Sequence, residues 1–420
     1  MKIKSNLFAL TVTAFLISPL IQANPTTSPE FTTFLQKAAN DYYQKYSKKE
    51  KFTAMQVTVL IPQHRMTDQK EIKTVVVGTV GESPFLQPIT ANSLFEIGSI
   101  TKSFTALLLL QLQTEGKLSL DDKLGKWLPQ YSQWKDVTLR QLLNMTSGIP
   151  NYSEDKEFNK KMESNLSRVW TDEELLTYAH PDKPLPKERE NLYEYCNSNY
   201  ILAAMVIEKA TKDTYANQLK KRFINTKTGL NNTYYPAGPD GKAVQKAISA
   251  RKVHGYSYNE KKHKLDDMVH SDLSWAGAAG AIVATSEDVA RWVQLLYHGL
   301  LFTPPNREHA LAELESVVSM KTGRSILTVS EAEPSGFGLG VGYYYDKELK
   351  QKFWVYKGST LGFRVMYFWQ PCNNVTTVVA LNSKGGEGNP HSELGDEIMS
   401  ANLNLYKLIL AHYPELNCVI

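Results

Sequence analysis

Ser99 and Lys102, in the run Ser99-Ile100-Thr101-Lys102, place a hydroxyl and an amine three residues apart at the mouth of an apolar stretch. Residues three apart share a helix face, so the amine can reach the hydroxyl. Serine is a weak nucleophile until an adjacent base takes its proton. A lysine serves as that base if burial keeps its amine neutral for part of the time. A helix N-terminus would also aim partial positive charge and free N–H groups at negative charge forming near Ser99. The same spacing recurs at Ser132/Lys135, Ser153/Lys156 and Ser249/Lys252. Those copies sit in polar turns beside Pro129 and Pro150, or in a basic segment with no apolar helix behind it. Only Ser99 is followed by Phe104, Leu107, Leu108 and Leu112 at helical spacing, with Gly116 as a stop.

Two further groups follow in order. Tyr195-Cys196-Asn197 leads into a helical run through Tyr200, Leu202, Ala203, Val206 and Ile207, and Tyr356-Lys357-Gly358-Ser359 lies in a strand-like segment near the C-terminal end. Tyr215-Ala216-Asn217 repeats the Tyr-x-Asn triplet, so that triplet alone is weak. The three groups together resemble the serine penicillin-recognising enzymes, in the class C β-lactamase and D-alanyl-D-alanine carboxypeptidase branch, which has Tyr-x-Asn where class A enzymes have Ser-x-Asn. The resemblance extends to Gly116–Asp122, Val137–Pro150, Ala279–Asp288, Phe337–Gly340 and Gly358–Phe363, and so to nearly the whole chain behind its first residues.

The resemblance implies a division of labour. Lys102, helped by Tyr195, takes the Ser99 proton as the hydroxyl attacks a carbonyl, and backbone N–H groups of Ser99 and Ser359 hold the oxyanion. Tyr195 passes the proton to the leaving group and later activates water. Asn197 binds the substrate amide, and Tyr356, Gly358 and Ser359 form the substrate-binding strand. One departure stands out: the third group begins with Tyr356 where the family has Lys or His. Neighbours on a strand point to opposite faces, so Lys357 cannot replace that residue without a bulge. A tyrosine donates a hydrogen bond but carries no charge near neutral pH, which weakens attraction for a substrate carboxylate. Arg364 or Lys357 would have to bind such a group instead. Lys321-Thr322-Gly323 matches the family's Lys-Thr-Gly string literally, but it precedes Phe337–Gly340 and lacks flanking alternation, so it reads as a surface turn.

Cys196 reads as a small buried hydrophobe beside machinery built on a hydroxyl. Of the three cysteines, Cys372 and Cys418 are the pair if a bridge forms, because Cys196 belongs inside the site. No histidine and cysteine spacing suggests zinc, so no metal and no cofactor is expected. Met1-Lys2-Ile3-Lys4, the apolar run Leu7 to Ile21 and the end Ile21-Gln22-Ala23 read as a signal peptide over 1–23, with no transmembrane anchor left after cleavage. The location implied is periplasmic or secreted. Losing Lys2 and Lys4 lowers the formal net charge from +4 to +2, which argues against nucleic acid as a partner.

The elements that must position these groups are legible in outline. Thr32 to Tyr46 reads as a helix, Phe52 to Ile61 and Thr74 to Val80 as strands, and a mainly helical segment runs from Ser99 to about Tyr297. Thr303-Pro304-Pro305-Asn306-Arg307 reads as a polar loop. Strands return over Gly340–Tyr345, Phe353–Lys357, Phe363–Trp369 and Thr376–Leu381, before a last helix Glu393–Leu410 whose polar face would carry Asp396 and Glu397. The resemblance makes this an α/β (α+β) fold: an antiparallel sheet built from both chain ends and flanked by helices, with a helical lobe of roughly 110–297 inserted in a single domain over 24–420. The substrate implied first is a D-alanyl-D-alanine stem peptide of peptidoglycan, with a carboxypeptidase-like activity, then a β-lactam, then a small ester or amide. An inactive binding scaffold has only the altered third group in its favour.

Overall fold

The computed structural model describes residues 29–62, 70–189, 191–260, 262–386, 392 and 394–418. The segment read as a signal peptide lies outside them, as does Glu393. Nine strands form one antiparallel sheet: β1 (Ala54–Pro62), β2 (Lys70–Gly78), β3 (Val317–Ser319), β4 (Ser325–Ile326), β5 (Ser335–Phe337), β6 (Gly342–Asp346), β7 (Gln351–Ser359), β8 (Arg364–Trp369) and β9 (Thr376–Leu381). Their order across the sheet is β2-β1-β9-β8-β7-β6-β5-β3-β4. The N-terminal hairpin therefore pairs with the last strand, Val57 opposite Val379, and the sheet joins both ends of the chain.

Alternation along β7 decides which side chains see which layer. Trp354 and Tyr356 enter the core shared with the central helices, while Phe353 and Val355 enter a second core on the other face. That second face is covered by α1 (Pro29–Glu50) and by a C-terminal helix, Ile398–His412. On the other face α4 (Ser286–Tyr297) packs against the strands, and α2 (Thr101–Thr114) and α3 (Ser198–Thr211) lie in the same core with each other. Leu107, Leu108, Leu109 and Leu110 are all buried, so α2 is enclosed on every side rather than along one stripe. Phe104 stacks on Trp292 of α4 at 3.5 Å. Short strands also occur between α2 and α4, such as Tyr256–Asn259 with Lys264–Asp267, where the sequence reads as mainly helical.

Two expectations fail for local reasons. Pro304 and Pro305 do not open a loop: they start the helix Pro304–Leu314, with Thr303 at its N-cap. The first turn of a helix has N–H groups with no internal partner, so proline loses nothing there. The last helix begins at Ile398, and Asp396 lies before it. Asp396 accepts from Lys357 at 2.8 Å and from Arg364 at 2.7 Å, and Arg364 also donates to buried Glu50 at 2.9 Å. Burial would raise the Asp396 carboxyl, but the Arg364 and Lys357 charges outweigh it and hold it below the usual carboxylate range. Those charges draw the chain across the back of the sheet before it can turn into a helix.

Candidate active site

Ser99 sits on a single 3₁₀ turn, Gly98–Ile100, that runs directly into α2. Backbone pairing fixes this turn: Ile97 N donates to Ile282 O at 2.9 Å, and Ile282 N donates to the Thr101 hydroxyl at 3.1 Å. Thr105 donates to Ala278 O at 2.8 Å, which pins the short helix Gly277–Gly280 against α2. The Ala279 carbonyl is thereby delivered to Lys102.

Lys102 is fully buried, and its ammonium nitrogen lies 3.0 Å from Ser99 Oγ and 2.7 Å from Ala279 O. The Tyr195 ring centroid is 4.8 Å away and that of Tyr200 is 5.5 Å away. Desolvation pushes the Lys102 pKa well below the usual value of 10.5. The other contributor is Cys196, whose own thiol is driven up to about 11 by burial and is neutral at neutral pH. With no anion to stabilise the ammonium, the amine can accept a proton. The Ser99 Oγ is also hydrogen-bonded to the Tyr195 hydroxyl through a short contact. One hydroxyl thus touches a buried amine and a phenol together.

The Val137–Pro150 stretch positions Tyr195 and Asn197. Glu194 N donates to Met145 O at 2.9 Å, in a turn where Met145 adopts a left-handed φ of 65°. Ser198 donates to Pro150 O at 2.7 Å, and Tyr200 donates to Leu143 O at 2.6 Å. Asn197 stands at the N-cap of α3; its N–H donates to Asn151 Oδ1 at 3.0 Å and its side-chain amide to Ser153 Oγ at 2.9 Å. Ser153, one of the discounted Ser-x-x-Lys serines, is therefore a support for Asn197. Asn151 and Ser153 carry no signature in the sequence beyond lying next to a family-like stretch. Cys196 is buried and donates its thiol to Ile149 O at 3.2 Å.

The end of β7 closes the other side. An added Cβ on Gly358 would stand 1.8 Å from Ile97 O and 2.8 Å from Ser99 N, and one on Gly98 would meet Ser359 N at 2.4 Å. The backbones of the serine turn and the strand are in direct contact, which only glycine permits. Gly358→Ala is expected to push the strand away and slow acylation about 100-fold, since misplacement by roughly 1 Å has that cost. Stopped-flow acylation alongside circular dichroism checks this, and a normal rate in a folded variant would mean the strand edge is not part of the site.

Tyr356 points to the same face as Ser99 and is buried, with its hydroxyl beside that of Tyr195. Burial raises its pKa well above 10, and the phenols of Tyr195, Tyr200 and Tyr193 add to the effect, so it is neutral. Phe337 packs its edge on Tyr356 at 5.7 Å and lies 5.6 Å from Tyr193. Lys357 and Arg364 project from the opposite face into the Asp396 and Glu50 cluster, so neither can bind a substrate carboxylate beside Ser99. Lys321-Thr322-Gly323 is a turn between β3 and β4, with Lys321 exposed.

The profile described as Beta-lactamase matches residues 63–397. The chain belongs to the beta-lactamase family. Among curated members it is 28% identical over 257 residues to penicillin-binding protein 4* of Bacillus subtilis, covering 57% of this chain and 52% of that protein. It is 26% identical over 215 residues to a teichoic acid D-alanine hydrolase of Staphylococcus aureus, 51% of this chain and 49% of that protein. The chain thus spans about half the length of these relatives. Among solved structures, a D-stereospecific amidohydrolase from Streptomyces superposes with a TM-score of 0.67 at 25% identity, covering 91% of this chain and 97% of that one. The D-amino acid amidase of Ochrobactrum anthropi gives 0.71 at 20% identity, covering 92% and 100%, and shares the fold. The family consists of serine hydrolases, and in this chain Ser99 Oγ meets both Lys102 and Tyr195.

Among the described residues, no group of three or more histidine, cysteine or acidic side chains could hold a metal, and no helix is long and apolar enough to cross a membrane. Cys372 and Cys418 form a disulfide with Cα atoms 6.1 Å apart.

Proposed function

We propose that this chain is an exported serine hydrolase that cleaves amides or esters of D-amino acids through an acyl-enzyme on Ser99. In this reading Lys102 takes the Ser99 proton, the Ser99 and Ser359 N–H groups hold the oxyanion, and Tyr195 protonates the leaving atom. Water then attacks the acyl carbonyl with Tyr195 and Lys102 as base, releasing the D-amino acid and restoring Ser99. Asn197 contacts the acyl part of the substrate. The observation that carries the choice of substrate is the neutral, buried Tyr356 on the Ser99 face, with Lys357 and Arg364 turned to the other face. A carboxypeptidase must hold the terminal carboxylate of its leaving group, whereas an amide or ester with an uncharged leaving group needs no cation there. The names of the Streptomyces amidohydrolase and the staphylococcal D-alanine hydrolase fit the same class. This moves the D-Ala-D-Ala carboxypeptidase from first place to second, and a β-lactamase, whose substrate also bears a carboxylate, follows it. A binding scaffold has no use for a buried amine in contact with a serine. Export fits the Cys372–Cys418 disulfide, since such bonds persist in oxidising compartments.

The test compares D-alanine p-nitroanilide and D-alanine methyl ester with an acyl-D-Ala-D-Ala peptide and a chromogenic cephalosporin. The first two are expected to give the higher kcat/KM, and preference for either carboxylate-bearing substrate would overturn the reading. Tyr356→His is expected to raise kcat/KM on the carboxylate-bearing pair by about 10–100-fold, the worth of one charge-assisted hydrogen bond. It should leave the ester within a few-fold.

A further inference from the structure

One side of the helix Gly241–Ile248 lines a cavity of about 650 Å³ that does not include Ser99. Lys242, Gln245 and Lys246 face it, and Ser249 follows at the same spacing, because positions i, i+3, i+4 and i+7 share one side of a helix. Lys242 and Lys246 are exposed at the rim, one turn apart, where two ammonium groups repel each other, and no carboxylate among the described residues is paired with either. Of the other bases on the wall, Lys252 lies 2.6 Å from Glu96 and His254 lies 2.6 Å from Asp267, while His270 lines the cavity from an exposed position. Asp272 is the one carboxylate among the lining residues, and it is engaged by Ser274 N at 2.9 Å and the Gln245 amide at 3.1 Å.

A second, independent observation points to an occupant. Ser271 lines the same cavity at 4% exposure, and its hydroxyl has no hydrogen-bond partner. Buried hydroxyls are nearly always paired, and an orphan in a cavity marks a place where a ligand atom can complete the bond. The wall also has an apolar part: the Phe85 ring stacks on His254 at 3.9 Å and borders the cavity. The volume is that of a small-molecule site rather than of a bare ion.

We propose that this cavity binds a small organic phosphate, its phosphate between the Lys242 and Lys246 ammonium groups and accepting a hydrogen bond from Ser271, its organic part against Phe85. A phosphate monoester carries about −1.5 to −2 charge near neutral pH and three acceptor oxygens, which matches two uncompensated ammonium groups and a hydroxyl donor better than a carboxylate does. The site is separate from the serine chemistry and stands whether or not the proposed substrate is correct.

Calorimetric titration of the whole chain with phenyl phosphate, inorganic phosphate and benzoate tests it. The expected result is saturable one-to-one binding of phenyl phosphate, tighter than either of the others and weakening as salt rises. Lys242→Ala/Lys246→Ala should weaken it at least tenfold and Ser271→Ala several-fold, with unchanged melting curves, while Lys347→Ala, on an exposed turn, should bind as the parent does. Absence of saturable binding, or a double lysine variant that binds like the parent, would overturn the proposal. Equal affinity for inorganic phosphate would overturn its organic part.

Discussion

Ser99→Ala is expected to lower kcat/KM on every substrate by at least about 10⁴-fold and to prevent any covalent adduct, while leaving the melting temperature within a few degrees. Removing a nucleophile eliminates the acyl-enzyme route altogether, and what remains is the smaller effect of binding and oxyanion stabilisation. The replacement itself is structurally mild. Ser99 is half-buried, and among the described residues its hydroxyl bonds to Lys102 and Tyr195, neither contact holding the core together. Steady-state turnover of the ester, with differential scanning calorimetry on the same sample, separates lost chemistry from lost fold.

Lys102→Met is expected to cost about 10³-fold in acylation, within the range of general-base catalysis, and also to change how stability depends on pH. The sign follows from burial. Desolvation lowers the Lys102 pKa in the folded chain well below the 10.5 of the unfolded one. Between those two values the unfolded chain binds a proton that the folded chain does not. The parent is therefore relatively most stable above pH 10.5, and it loses stability as pH falls towards the folded pKa. Methionine removes that dependence, so the variant should gain on the parent as pH falls through this window. The same shift sets the acidic limb of activity: kcat/KM should fall as pH drops through the folded Lys102 pKa, because only the neutral amine can take the serine proton. Chemical denaturation and rate profiles from pH 5 to 10 check both. A parent and variant with parallel stability curves would show that the amine stays charged in the fold.

The serine turn is legible in sequence because three signals coincide there: the Ser99/Lys102 spacing, an apolar run at helical period, and Gly116, which takes a left-handed φ of 68° just past the helix. Tyr195 and Asn197 are legible only by their order relative to Ser99. The side on which Lys357 falls also follows from strand alternation alone, and β7 carries it to the Asp396 face without a bulge. Other parts have no local signature. Ala279 contributes a backbone carbonyl, which any residue could supply, and Asn151 and Ser153 act through contacts more than forty residues away in sequence. In the Glu50, Arg364 and Asp396 cluster the Arg364–Glu50 bond alone spans 314 positions, so no pattern along the chain announces it. It is also what displaces the start of the last helix to Ile398.

Peptide mapping by mass spectrometry after brief exposure to a fluorescent penicillin, or to a slowly deacylating D-amino acyl ester, reads the central claim directly. One adduct is expected, on the peptide containing Ser99, that is absent in Ser99→Ala and forms more slowly in Lys102→Met. An adduct on any other residue, or labelling that persists without the Ser99 hydroxyl, would contradict it.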